Sequence, residues 1–207
     1  MIEYVFPDNP DDRVLNRARD LLSSGDIIVI PTDTNWVMVA DLHNKNGVEK
    51  IYRAKGEDKT HHFSLLVNGL SIASEYAFIS DRAFRLLKGK IPGHYTFIFG
   101  ALKKTTKLLK ASKTDHQVGL RFVPNTLVSR LVDRMSGPLI STNIDPVIFG
   151  KESGSDPIYS YEIEEKLKGH VSMIIDPGEY EFVGPSTIYD LSGEEFELMR
   201  EGSGKLF

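Results

Sequence analysis

Apolar and polar positions along this chain predict strands and helices in alternation. After the turn pair Gly25-Asp26, residues 27–30 form an unbroken β-branched run, which predicts a buried strand. Pro31 lacks an N–H and closes that ladder. A second apolar run, 36–40, opens at Trp36. Further strands are predicted at 63–67, 95–99, 118–122, 139–141 and 173–175, with two closing strand-like runs at 187–191 and 196–200. Helical spacing lies between them. Asn9-Pro10-Asp11-Asp12 supplies a capping Asn, a proline at the first helical position and acids in the first turn. Val14, Leu15, Ala18, Leu21 and Leu22 then fall on one face. Asn44 caps a helix bearing Val48, Ile51 and Tyr52, and Pro124-Asn125 opens one bearing Leu127, Val128, Leu131 and Val132. Helical stretches are also predicted at 72–77, 80–87 and 161–167, and the Gly/Ser-rich stretch 150–157 reads as a mobile loop. The chain has no internal repeat and no dividing linker. This mixture predicts one α/β domain over residues 1–207, with its core at about 10–204 and a mixed sheet.

Polar residues collect at the ends of several predicted strands. Thr32, Asp33 and Thr34 follow the first; Arg121 sits near the end of another; Ser141-Thr142-Asn143 and Pro185-Ser186-Thr187 mark two more. Lys55 lies at a helix end and Arg200 late in the chain. Open α/β sheets bind ligands outside the carboxyl ends of their strands. Hydroxyls, an amide and cations placed there suit an amino acid's ammonium and carboxylate, and a nucleotide phosphate. For Thr32 to Thr34 the plain alternative is the polar turn of a tight hairpin.

Composition narrows the chemistry. The chain has no cysteine, which removes disulfides, thiolate metal sites and thiol nucleophiles and fits a reducing cytoplasm. No apolar run approaches a membrane span and no signal-peptide pattern is seen, so a cytoplasmic protein without membrane contact is expected. A net charge of −4 does not advertise nucleic-acid binding over the whole surface. Residues 103–113 carry five lysines and read as a solvated excursion, or alternatively as a basic rim for an anionic ligand or RNA. No serine sits in a Gly-x-Ser-x-Gly elbow, and no Gly-x-Gly-x-x-Gly or Walker loop is present. His61-His62 lacks metal-ligand spacing, and each histidine reads as a surface or hydrogen-bonded residue.

The order of the short motifs goes further. Pro31-Thr32-Asp33-Thr34, Ile51-Tyr52-Arg53-Ala54-Lys55-Gly56, Pro92-Gly93 with Tyr95-Thr96, Val118-Gly119-Leu120-Arg121, Ser141-Thr142-Asn143, Pro185-Ser186-Thr187-Ile188 and Arg200-Glu201-Gly202 resemble the YrdC-like superfamily, in family order and over nearly the whole chain. The resemblance implies a twisted mixed sheet flanked by helices, with a concave positively charged groove. It also implies threonylcarbamoyl-AMP synthase chemistry: ATP, bicarbonate and threonine, or a related small amino acid, condense to a carbamoyl-adenylate for t6A modification of tRNA. By motif position, Lys55 and Arg121 would be catalytic, and Thr32, Thr34, Trp36 and Ser186 would bind substrate. Lys55, Ser141, Asn143 and Arg200 would hold the nucleotide. Mg²⁺ would arrive with ATP, with no tightly bound metal, and tRNA or another RNA is a further candidate occupant of the groove. A homodimer is left open.

The chain departs from the synthase pattern. Synthases usually read Thr-x-Tyr-Gly-Leu-Gly after the first strand, where this chain has Thr34-Asn35-Trp36-Val37-Met38-Val39. The usual Lys-x-Arg is Lys55-Gly56-Glu57, the following Lys-Pro is His61-His62, and the Ala of Ser-Ala-Asn is Thr142. Valines in place of glycines, and a carboxylate in place of a phosphate-facing cation, lean toward the YciO branch. They carry a second expectation, a nucleotide- or RNA-binding paralog without synthase activity.

Overall fold

The computed structural model describes residues 1–55, 63–109, 116–151 and 157–207. Eleven strands among them form one sheet: β1 (Ile2–Tyr4), β2 (Ile28–Pro31), β3 (Trp36–Asp41), β4 (Ser64–Leu66), β5 (Ala77–Phe78), β6 (Tyr95–Ala101), β7 (Gln117–Arg121), β8 (Leu139–Asn143), β9 (Met173–Asp176), β10 (Thr187–Asp190) and β11 (Glu197–Arg200). Their order is β1-β9-β2-β3-β8-β4-β7-β6-β10-β11, with β5 paired to β6. Parallel pairs (β1 with β9, β2 with β9, β4 with β7, β6 with β10) occur beside antiparallel ones, so the sheet is mixed.

Seven α-helices among the described residues flank it: α1 (Asp12–Ser23), α2 (Lys45–Lys55), α3 (Leu70–Ala73), α4 (Asp81–Leu87), α5 (Lys103–Leu109), α6 (Thr126–Val132) and α7 (Ser160–Lys166). Strand alternation divides the core in two. Trp36, Met38, Leu65, Phe97, Phe99, Leu120 and Ile140 join the larger cluster, with Val48 and Ile51 of α2, Leu87 of α4 and Ile163 of α7. Val37, Val39, Leu66, Leu139, Met173 and Ile175 face the other way, into a cluster closed by Val14, Leu15, Ala18 and Leu22 of α1 and Leu127, Val128 and Leu131 of α6. Each buried Val or Leu contributes about 1.5–3 kcal/mol relative to exposure. This second cluster contains no side chain from β6, β7 or β10.

The sequence reading of helix starts holds for α2 and α6. Asn44 Oδ1 accepts from Asn46 N and Gly47 N, and Asn125 Oδ1 accepts from Val128 N. For α1 the start is later than Asn9-Pro10 predicts. Asp11 caps instead, accepting from Arg13 N, while Asn9 N bonds to Phe6 O in a preceding turn and Pro10 is buried. Other boundaries need correction too. The core begins before residue 10, because Ile2–Tyr4 pairs with β9, and a three-residue edge strand is too short to show a period. Within 72–77 the helix ends at Ala73, since Ala77 and Phe78 pair with Ala101 and Gly100 of β6. Residues 103–109 are not a solvated excursion. They form α5, seated by buried Thr105 and Leu109, with Thr105 Oγ1 donating to Tyr76 O at 2.6 Å. Residues 110–113, and most of the loop predicted at 150–157, lie outside the described residues.

Candidate functional site

The hairpin between β2 and β3 is polar yet buried. Thr32 is fully buried, and Asp33 and Thr34 nearly so. Thr32 Oγ1 donates to Asn35 O at 2.8 Å and accepts from Thr34 N and Asn35 N at 3.3 and 3.2 Å. This side-chain closure of the turn leaves the backbone little freedom. Asn35 Nδ2 reaches Ile144 O at 3.0 Å, and Val183 N donates to Asp33 O at 2.9 Å, fixing the hairpin from both sides. The stretch is the hairpin turn that the sequence offered as the plain reading, and its polar side chains are turned inward.

Arg121 is what it meets. Val118 and Leu120 of β7 enter the larger core, so Gly119 and Arg121 point to the opposite face. Arg121 Nη2 donates to Asp33 Oδ1 at 2.7 Å, and Nη1 approaches Thr32 Oγ1 at 3.5 Å. The pair is almost wholly buried, and Arg121 Nε has no partner among the described residues. Burial pulls the Arg121 guanidinium below its ordinary value; Asp33 opposes that shift and Arg200 adds to it. The second oxygen of Asp33 is used as well, since Oδ2 lies 2.7 Å from His94 Nδ1.

A second polar group adjoins the first. Thr96 precedes Phe97, which faces Leu120, so Thr96 stands beside Arg121. Its hydroxyl meets Ser186 Oγ at 2.8 Å. Arg200 Nη2 donates to Ser186 O at 2.8 Å and to Ser186 Oγ at 3.2 Å, and Arg200 Nε donates to the same carbonyl at 3.1 Å. Close approach explains two glycines. A Cβ on Gly119 would meet Ser64 Oγ at 2.8 Å, and one on Gly202 would collide with the Pro185–Ser186 backbone.

Ser141 and Asn143 lie on this same face. Ser141 is in register with Val39 and Ser64, and Ser64 with Gly119, giving one row across four strands. Ser141 Oγ donates to Ser64 O at 3.0 Å, and Asn143 faces Val37. A cavity of about 580 Å³ opens past the end of β7, between Val67, Pro92, Phe122 and Asn125.

Of the residues singled out from sequence, Thr32, Thr34 and Arg121 meet directly, Ser186 and Arg200 meet each other beside them, and Ser141 and Asn143 share their face. Trp36 does not. Strand alternation sends it into the larger core on the opposite face, where Nε1 donates to Ile158 O at 2.8 Å and the ring packs edge-on against Phe182. Lys55 closes α2, and its side chain, with Glu57, His61 and His62, lies outside the described residues. Sequence reasoning passed over His94 as a partner of Asp33. It stands inside the quoted Pro-Gly run, but nothing local in that run places it opposite residue 33.

Residues 20–202 match the Sua5/YciO/YrdC family model, whose description reads telomere recombination. The chain belongs to this family. The uncharacterized protein YciO of Escherichia coli K12 is 34% identical over 202 residues, which cover 97% of this chain and 95% of YciO. The crystal structure of E. coli YciO superposes with a TM-score of 0.84 at 33% identity, covering 99% of this chain and 97% of that one. Pyrococcus abyssi Sua5, in its crystal structure complexed with L-threonine, shares the fold with a TM-score of 0.82 at 21% identity. That match covers 98% of this chain and 57% of the Sua5 chain. The Sua5/YciO/YrdC family includes threonylcarbamoyl-AMP synthases, such as that of P. abyssi, 23% identical over 189 residues. Among the described residues, no group of three or more His, Asp or Glu is arranged to hold a metal ion, and no helix is long and apolar enough to cross a membrane.

Proposed function

We propose that this protein is a slow enzyme of the threonylcarbamoyl-AMP synthase type. It condenses threonine, or a related small amino acid, with bicarbonate and ATP, releasing pyrophosphate and a carbamoyl-adenylate that serves t6A modification of tRNA. One observation carries the reading: Thr32, Thr34 and Arg121 converge in one buried polar corner, on the sheet face whose apolar cluster with α1 and α6 takes no side chain from β6, β7 or β10. Ser186 and Arg200 adjoin it. The chemistry asks for no protein nucleophile. A carbamate oxygen attacks the α-phosphorus, pyrophosphate leaves, and the protein orients the reactants and offsets charge with cations. In this reading Arg121 and Lys55 face carboxylate and phosphate groups, Ser141, Asn143 and Arg200 hold the nucleotide, and ATP brings its own Mg²⁺.

A second reading has its own support. Val37 and Val39 stand across from Asn143 and Ser141 on the same sheet face, inside the cluster that α1 and α6 close, with β-branched bulk where synthases keep glycine. That favours a nucleotide- or RNA-binding paralog without adenylate synthesis. The test is pyrophosphate release with ATP, bicarbonate and each amino acid in turn, alongside calorimetric titration of ATP. The expected result is weak ATP binding and slow, threonine-dependent release that Arg121→Ala weakens further. Nucleotide or RNA binding with no release under any amino acid would replace the first reading with the second.

A further inference from the structure

His94 stands in a position that the synthase-type reading leaves unused. Its main chain is fixed on both sides: Gly93 N donates to Phe122 O, and Thr187 N donates to His94 O. Its ring Nδ1 lies 2.7 Å from Asp33 Oδ2, while Asp33 Oδ1 is held at 2.7 Å by Arg121 Nη2. Asp33 is 4% exposed and the His94 side chain 36%, so a buried carboxylate orients a ring that solvent and ligands can reach. A carboxylate only accepts, so in the neutral ring this contact places the His94 proton on Nδ1 and leaves Nε2 as the basic nitrogen. Nε2 has no partner among the described residues. The charged and titratable groups around this pair are Arg121 from β7, Arg200 from β11 and Tyr180, whose hydroxyl responds to Asp33. Thr32 and Thr34 flank Asp33 in the hairpin.

A buried carboxylate holding one nitrogen of a partly exposed imidazole, with the other nitrogen left unpartnered beside the polar corner, is the arrangement of an oriented general base. We propose that His94, oriented by Asp33, is the proton acceptor for the amine of the substrate. This rests on the synthase-type reading given above. An α-ammonium cannot attack bicarbonate. In the inferred step the substrate R–NH3⁺ gives one proton to His94 Nε2, leaving R–NH2 and an imidazolium. The amine nitrogen then forms the new C–N bond to bicarbonate carbon and water leaves: R–NH2 + HCO3⁻ gives R–NHCOO⁻ + H2O. Arg121 keeps Asp33 paired throughout, so Asp33 stays available to the imidazolium.

The experiment compares the native protein with His94→Asn and His94→Ala. Asn can still donate to Asp33 but offers no base, and circular dichroism checks that each variant folds. Threonine-dependent pyrophosphate release is followed against pH, with ATP affinity measured in parallel. The expected result is a fall on the order of 10²-fold in rate for both variants, loss of the acidic limb of the profile, and ATP affinity within twofold of native. Added imidazole should partly restore His94→Ala. Release by His94→Asn at the native rate, with the native pH profile, would overturn the role of His94 and leave the synthase-type reading standing. Absence of release by the native protein with every amino acid would overturn both. Ring ¹⁵N signals of the native protein give an arm independent of turnover. In the neutral ring a proton on Nδ1 and none on Nε2 is expected, and the opposite tautomer would overturn the inference.

Discussion

Asp33 and Arg121 form a buried ion pair at 2.7 Å although the sheet register holds them far apart. Arg121 is in register with Leu66, Leu66 with Leu139 and Leu139 with Asp41, so Arg121 shares a row with the last residue of β3. Asp33 lies beyond the first residue of that strand, three strands away across the sheet. In a flat sheet the two positions would be roughly 20 Å apart. The right-handed twist of neighbouring strands curls diagonally opposite corners of a sheet toward the same face. That curl brings the β2–β3 hairpin onto β7 and creates the polar corner.

Asp33→Asn leaves the guanidinium buried without its counter-charge. The expected loss is about 3–5 kcal/mol, the usual cost of breaking a buried pair from one side. Urea unfolding reads it directly. A loss below about 1 kcal/mol would mean that solvent or a bound anion already neutralises Arg121.

Val39 is fully buried against α1 and in register with Ser141. Val39→Ala is expected to cost about 1.5–3 kcal/mol of stability while tightening ATP binding. Calorimetry alongside thermal unfolding separates the two effects. Lower stability with unchanged ATP affinity would make this valine a packing residue only and remove it as a ground for expecting slow turnover.

Trp36→Phe tests which face the indole serves. Losing Nε1 leaves the Ile158 carbonyl without its donor, at about 1–3 kcal/mol if the site stays dry. ATP affinity should be unchanged, because Trp36 is on the far side of the sheet. A drop in affinity without loss of stability would return Trp36 to the candidate site.

Tyr52 ties α2 to α5 through its hydroxyl, which donates to Leu109 O. Burial pushes its pKa from 10.0 up to about 12. The raised folded-state value means Tyr52 stabilises the protein fully below the ordinary tyrosine value. That contribution fades as pH rises through the interval between the two. Thermal unfolding at pH 9 to 12 should therefore show a steeper alkaline decline in native protein than in Tyr52→Phe. Parallel declines would mean that the hydroxyl is already hydrated in the folded state.

Much of the fold was legible locally. A β-branched run ended by proline, as at 27–31, has few alternatives to a buried strand, and Asn44 and Asn125 cap their helices through contacts only two or three residues away. The motif order also carried the family, because each motif is a contiguous stretch. The sequence failed where a partner lies far along the chain. Ala77 and Phe78 became a strand because β6 offers an edge, and α5 was missed because Thr105 and Leu109 find their burial only against distant residues. Trp36 was assigned to the site by its motif neighbours, yet a strand sends successive side chains to opposite faces, and only the packed sheet fixes which face is which. The sequence by itself determined that Thr32, Asp33, Thr34, Arg121 and Arg200 would lie at strand ends. That Asp33 would join Arg121 to His94 was decided by the twist of the whole sheet, a sum of small rotations between neighbouring strands that no single stretch contains.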